Sequence, residues 1–60
     1  MQDQATLLAM ELVRRQVVND RLTVTDHRRL KELAEQASEE SRREYWPHIW
    51  GEFAEHFDPR

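Results

Sequence analysis

The chain has 60 residues, no cysteine and a formal net charge of −3 at pH 7, and 35% of its residues are charged. A chain of this length forms a single domain that buries only about 60% of the surface exposed when it is unfolded. The missing cysteine excludes disulfides and cysteine-bound zinc. Because small domains without such staples need another source of stability, the composition favours a homodimer.

The N-terminal sequence, MQDQATLLAMELVRR, is unlike a secretory signal peptide. It has no basic start, and its apolar run is interrupted by Glu11. No apolar segment of the chain approaches the roughly 20 residues needed to span a bilayer. We therefore expect a cytoplasmic protein with no membrane partner.

The first helix is predicted from about Gln4 to Val18, with Asp3 as its N-cap. Its apolar residues cover an arc of roughly 200°, which is wider than the stripe of about 100° on an ordinary surface helix. One partner helix cannot cover this arc, so we expect the first helix to contact two or more neighbours. The apolar residues are Ala5, Leu8, Ala9, Met10, Leu12, Val13 and Val17.

A turn is predicted after the first helix, which Asn19 and Asp20 end. The next four residues are expected to be extended. Thr23, followed three residues later by Asp26, is typical of a capping box that opens a helix. Thr25 is the alternative N-cap.

The second helix is predicted over roughly Val24–Tyr45. Its inward side, the seam, consists mainly of small residues, which allow close approach of helices but contribute little burial each. Large side chains from elsewhere must therefore complete the core. The seam contains Leu30, Leu33, Ala34, Ala37 and Ser41, with His27 and Tyr45 at its two ends.

Pro47 predicts a break followed by a third helix. The residue before a proline is pushed out of the helical region, whereas proline itself suits the first turn of a helix. We expect Trp46 at the break and a helix from Pro47 to about Phe57. The large side chains of this segment share an arc of roughly 100° and form an aromatic stripe. The stripe is expected to supply the large side chains of the core, opposite the small residues of the seam. The stripe is Trp46, Ile49, Trp50, Phe53 and Phe57.

These elements predict an all-α fold in one small domain, residues 1–60. The expected architecture is a helical hairpin followed by a short third helix initiated by proline, assembled as a homodimeric helical bundle. Whether the third helix packs on its own chain or exchanges onto a second chain is left open.

The aromatic residues have two interpretations. Each aromatic side chain buries about 150–250 Å², which favours a role in the core or in a self-interface. Tryptophan and tyrosine also dominate the hot spots of protein interfaces. A protein-binding surface, the aromatic flank, is therefore predicted at Tyr45, Trp46, Trp50 and Phe53, with Tyr45 and Trp50 as the first candidates.

Six basic side chains are expected to meet at one end of the hairpin, in a basic pole. Cations near a helix N-terminus oppose the helix dipole, so Arg28 and Arg29 do not stabilise their own helix. One explanation is contact with a phosphate or an acidic partner. The favoured alternative is pairing with Asp20, Asp26 and Glu32. The basic pole is Arg14, Arg15, Arg21, Arg28, Arg29 and Lys31.

Catalytic and metal sites are not predicted. His48, Glu52 and His56 carry groups that bind zinc, but they spread over about 12 Å of one helix, so a solvated polar face is favoured. His27 is expected to be a neutral, hydrogen-bonded histidine at the edge of the core. Neither a nucleophile–base pair nor a glycine-rich phosphate loop is present. We expect no enzyme activity, no metal and no cofactor.

The leading functional hypothesis is a small regulatory protein, a protein-binding modulator or adaptor that self-associates. Its contact surface would combine the aromatic flank with residues 33–60, where seven acidic residues stand against three basic ones. The alternative is a nucleic-acid-associated transcriptional regulator that uses the basic pole. A third possibility is an acidic mimic of nucleic acid, for which a net charge of −3 is modest.

Overall fold

The computed structural model describes residues 3–19 and 21–59. It contains four α-helices within these residues: α1, Gln4–Val17; α2, Val24–Gln36; α3, Glu39–Glu44; and α4, Trp46–His56. The described residues form no β-strand, so the all-α prediction is confirmed. None of the helices found in these two ranges has both the length and the apolar character needed to cross a lipid bilayer.

α1 begins where the sequence predicts and ends one residue earlier, at Val17. The side chain of Asp3 caps it by accepting a hydrogen bond from the backbone N–H of Thr6, at 2.7 Å. The helix packs against both α2 and α4, which confirms that its wide apolar arc serves two neighbours. Ala5, Ala9 and Val13 are buried along the middle of that arc.

The loop between α1 and α2 is tied to the C-terminal tail. Leu22, fully buried in this loop, donates its N–H to the carbonyl of His56 at 2.8 Å and accepts from the N–H of Asp58 at 2.7 Å. These bonds form a single parallel bridge between Leu22 and Phe57. Of the four residues expected to be extended after α1, Leu22 forms this bridge and Thr23 has extended backbone angles of φ −103° and ψ 175°, whereas Val24 already belongs to α2. Asp20, predicted to end the first helix, lies outside the described residues.

The predicted capping box opens α2. Thr23 Oγ1 accepts from the backbone N–H of Asp26 at 3.3 Å, and Asp26 Oδ2 accepts from the backbone N–H of Thr23 at 2.9 Å. Each side chain therefore satisfies a backbone donor that the first helical turn leaves unpaired. Thr25, the alternative N-cap, lies inside the first turn instead.

The prediction of one continuous helix up to Tyr45 was wrong. α2 ends at Gln36, and Ala37 turns the backbone to an extended conformation with φ −73° and ψ 154°. Ser38 then caps α3, its hydroxyl accepting from the N–H of Ser41 at 3.1 Å. Two acidic residues follow Ser38 in the first turn of α3, where the helix dipole favours negative charge.

A long-range hydrogen bond holds this break in place. Ser38 donates its backbone N–H to Oδ2 of Asp3 at 2.6 Å, so one carboxylate caps α1 and also fixes the start of α3. The backbone N–H of Ser38, followed by that of Thr6, holds the pKa of the Asp3 carboxyl well below its usual range. The N-terminal end of α1 therefore lies beside the junction of α2 and α3.

α4 begins at Trp46, one residue before the predicted start, and Pro47 occupies its first turn as expected. Tyr45 separates it from α3 with φ −108° and ψ −34°. The predicted third helix is therefore the fourth helix of the chain. It packs against α1 and α3 of its own chain.

The core contains Trp46, Ile49 and Phe53 of the predicted aromatic stripe. Trp50 is only partly buried, and Phe57, just after α4, is 37% exposed. Trp46 is 2% exposed, and its Nε1 donates to Oγ1 of the fully buried Thr6 at 3.1 Å. Ser41 is also fully buried, and its Oγ has no hydrogen-bond partner among the described residues. The buried hydrophobic residues are Ala5, Ala9, Val13, Leu22, Leu30, Leu33, Ala37, Trp46, Ile49 and Phe53.

Candidate functional site

The aromatic flank does not form one surface. Trp46 and Phe53 are only 2% and 6% exposed, so the core of their own chain leaves almost none of their surface for a partner. Tyr45 and Trp50 are partly exposed. Tyr45, just before α4, lines a groove between α1 and α4, whereas Trp50 packs against His27 of α2, so the two residues lie on different sides of α4. Partner binding stays a prediction for Tyr45 and Trp50, on two separate surfaces.

On the side of α4 that carries Trp50, the imidazole of His27 from α2 packs against aromatic side chains. The ring centroid of His27 lies 5.7 Å from that of Trp50, 5.2 Å from that of Phe53 and 6.1 Å from that of Phe57. Trp50 also meets Phe53 edge to face, with centroids 5.8 Å apart. This arrangement is among the favoured geometries for aromatic pairs, so Trp50 is held in a defined position.

The hydrogen bond expected for the His27 side chain stays a prediction. No described residue forms a hydrogen bond with its imidazole, whose contacts are aromatic rings. His27 is three residues after Val24, so the two side chains are neighbours on the surface of α2. Val24 and Phe57 are 46% and 37% exposed. We call Val24, His27, Trp50 and Phe57 the histidine patch.

On the side of Tyr45, an open groove of about 580 Å³ lies between α1 and α4. The groove is mainly apolar, and its two helices each contribute one charged residue, Arg14 from α1 and Glu52 from α4. Neither charge has an oppositely charged partner within 4.0 Å among the described residues. The residues that line this α1–α4 groove are Met10, Val13, Arg14, Val17, Val18, Tyr45, His48, Ile49 and Glu52.

The basic pole is divided between two sides of α1. Arg15 and Arg29 line a smaller groove of about 290 Å³ between α1 and α2, whereas Arg14 lines the α1–α4 groove. Arg15 pairs with Glu11, one turn earlier on α1. Arg29 lies 4.0 Å from Glu32, one of the partners that the sequence predicts.

Among the described residues, the predicted partner Asp26 does not pair with the basic pole. Asp26 is engaged in the capping box, and Asp20 lies outside the described residues. Arg21, Arg28 and Lys31 are exposed and have no carboxylate within 4.0 Å in the described part of the chain. An external anion as the partner of these three cations stays a prediction.

The candidate metal ligands His48, Glu52 and His56 do not form a metal site in the described structure. His48 and Glu52 lie at the α1–α4 groove, and the carbonyl of His56 binds the N–H of Leu22. Within residues 3–19 and 21–59, no group of three histidine or carboxylate side chains is arranged to hold a metal ion.

No protein-family model, no curated protein and no solved structure matches the chain. The candidate site therefore consists of two surfaces defined by the fold itself, the histidine patch and the α1–α4 groove. The sequence alone did not predict that the residues of either surface lie together. The spacing of Tyr45, His48 and Glu52 at i, i+3 and i+7 is the signal that could have placed them on one side of α4.

Proposed function

We propose that this chain is a small, non-enzymatic, cytoplasmic regulatory protein that acts by binding another protein and that self-associates as a homodimer. In this proposal α1 and α2 form the helical hairpin that carries the binding helix α4. The histidine patch is the observation that carries the protein-binding role. It presents a tryptophan beside two further exposed apolar side chains.

Trp50 has the properties of an interface anchor. Tryptophan is among the residues that contribute most to binding energy in protein interfaces. The rings of His27, Trp46 and Phe53 lie within 6 Å of its own, so little side-chain freedom remains to be lost on binding. Preorganisation of this kind favours affinity because the entropic cost of association falls.

The surroundings of the patch indicate the chemistry of the partner. Trp50 and Phe57 belong to residues 33–60, which carry seven acidic residues and three basic ones, so a surface complementary to this half of the patch would be basic around an apolar pocket. Charged rims of this type steer association and select partners more than they add to affinity. A basic protein with an exposed apolar cleft therefore fits this proposal best.

A pair of glutamate variants tests the histidine patch. Val24→Glu puts a charge into the patch, whereas Thr25→Glu puts the same charge at the next residue, which points about 100° away. Both positions lie in the first turn of α2, where a carboxylate suits the helix dipole. The two variants should therefore fold equally well and differ only at the patch.

The measurement is quantitative co-purification of cellular proteins with the tagged chain, followed by titration of the purified partner. We expect Val24→Glu to reduce binding at least tenfold and Thr25→Glu to leave it within about twofold of wild type, because a charge desolvated at an apolar contact costs more than one at an exposed rim. Equal binding by both variants would contradict the assignment of the patch.

Nucleic-acid binding is a second candidate, favoured by Arg21, Arg28 and Lys31, which have no carboxylate within 4.0 Å in the described part of the chain. Binding through several phosphates weakens steeply between about 50 and about 200 mM salt, whereas a protein interface anchored by an aromatic side chain does not. Fluorescence anisotropy with labelled duplex DNA and single-stranded RNA over this range separates the two candidates. The net charge of −3 opposes nucleic-acid binding by the chain as a whole.

A further inference from the structure

We propose that the α1–α4 groove binds the same groove of a second copy of this chain, and that Arg14 of each protomer faces Glu52 of the partner subunit. The inference rests on the self-association included in the proposed function and names the surface responsible for it. The histidine patch lies on the other side of α4 and remains free for a different protein.

The apolar surface of α1 extends beyond what its own chain covers. Ala5, Ala9 and Val13 are buried, but Met10 and Val17 are only partly buried and line the open groove. Leu7, one turn before Met10, is 48% exposed, and Val18 at the end of the groove is 82% exposed. The middle of the apolar arc of α1 is therefore covered by α2 and α4, and the arc is open along this edge. On its other edge Leu8, 42% exposed, lines the smaller α1–α2 groove.

The two charges at the groove indicate which partner covers this edge. Arg14 stands on α1 and Glu52 on α4, both are exposed, and neither has an ion-pair partner in the described part of the chain. A two-fold axis brings a surface against itself in reversed order, so the cation of each protomer meets the anion of the other. A peptide of single charge sign would match one of the two helices and be repelled by the other.

The size of the chain agrees with this arrangement. The accessible surface of the chain is 4468 Å², so the roughly 800 Å² per partner of a standard interface would use just under a fifth of it. A domain of 60 residues also gains proportionally more from such a contact than a larger one, because its own burial is limited.

Charge reversal tests the pairing directly. Arg14→Glu leaves two anions at each groove, and Glu52→Arg leaves two cations, so either variant alone would bring like charges together in the dimer. We expect each to dissociate at least tenfold more readily than wild type, since two reversed contacts act together in one two-fold interface. The readout is the mass in solution from sedimentation equilibrium over a dilution series.

An equimolar mixture of the two variants is the decisive test of the pairing between Arg14 and Glu52. In an equimolar mixture, the two groove carboxylates of an Arg14→Glu chain would meet the two groove guanidinium groups of a Glu52→Arg chain. We therefore expect a heterodimer with an affinity near that of wild type. The double variant Arg14→Glu/Glu52→Arg should also regain self-association. Lys31→Glu and Glu35→Arg are matched controls on exposed positions of α2 outside the groove, and they should dissociate like wild type.

The possible results distinguish the claim that the groove is the dimer interface from the proposal that the chain self-associates. A dimer that is unchanged by the charge reversals, or variants that do not recover on mixing, would overturn the groove as the interface while leaving self-association intact. A wild-type chain that is monomeric at all concentrations would overturn both the groove and self-association. Neither result depends on the binding test of Val24→Glu. Far-UV circular dichroism of each variant establishes that the exposed substitutions leave the helices formed.

Discussion

The two sides of α4 differ although they belong to one short helix. On one side the imidazole of His27 fills the space next to Trp50, with ring centroids 5.7 Å apart. On the other side Tyr45 and Ile49 border a groove of about 580 Å³ that no described part of the chain fills. Between the two sides, Trp46 is buried and hydrogen-bonded to Thr6.

The difference indicates how a chain of 60 residues can combine stability with binding. The inner side of α4 holds the fold together, and each outer side presents a surface of different chemistry. The side with His27 is rigid and aromatic, whereas the side with Tyr45 is apolar and flanked by one charge of each sign. Substitutions on the inner side should therefore affect folding, and substitutions on the outer sides should affect association.

The largest effect is expected from Trp46→Ala. Truncating a buried tryptophan costs about 3–5 kcal/mol, and a chain of this length has a total stability of roughly 3–9 kcal/mol. We expect the variant to be largely unfolded, or to lose most of its stability, in urea denaturation followed by circular dichroism. Trp50→Ala, on the partly exposed side, should cost about half as much. Equal losses would contradict the division between the inner and outer sides of α4.

A smaller effect is expected from Thr6→Val. Valine nearly preserves the shape of threonine but cannot accept the hydrogen bond from Trp46 Nε1, which leaves a buried donor unsatisfied. Such a donor costs about 1–3 kcal/mol. Thr25→Val is the control, since Thr25 is exposed and surface substitutions usually stay within about 0.5 kcal/mol. If the free energy of unfolding is the same in both variants, the buried bond contributes nothing.

The smallest effect is expected from Asp3→Asn, and it should depend on pH. The folded-state pKa of Asp3 is depressed by the N–H groups of Ser38 and Thr6, so the ionised carboxylate stabilises the fold above its ordinary value of 3.8. This contribution is lost as the pH falls through the folded-state pKa. Asparagine retains one accepting oxygen but no charge, and its amide cannot accept from the N–H of Ser38.

Thermal unfolding of wild type and Asp3→Asn from pH 7 down to pH 2 measures this difference. The wild type should have the higher Tm at pH 7, and the gap should narrow below about pH 4. Glu35→Gln, on an exposed part of α2, should show no such convergence. A gap that is constant with pH would mean that Asp3 acts without its charge.

Much of the fold could be predicted from local signals. Asp3 as an N-cap, the capping box at Thr23 and the proline in the first turn of the last helix each depend on residues close in sequence. The apolar spacing from Trp46 to Phe53 likewise identified the inner side of α4. These features are properties of single helical turns, so the sequence contains all the information they require.

The break between α2 and α3 could not be predicted in this way. Alanine, glutamate and glutamine favour helix on both sides of Ser38, and the bond that holds the break joins Ser38 to a residue 35 positions away. Ser38, as a residue type favoured at N-caps, and the two acidic residues after it were the local signals. The same limit applied to the groove, because the approach of Arg14 and Glu52 depends on how α4 packs against α1.

The central claim is that one chain completes its own core and that self-association uses a separate surface. The most direct test is a dilution series in which light scattering measures the mass while circular dichroism measures the helix content of the same samples. We predict that the mass falls from dimer to monomer while the helix content stays constant. A parallel loss of mass and helix would contradict the account, because the core would then require two chains.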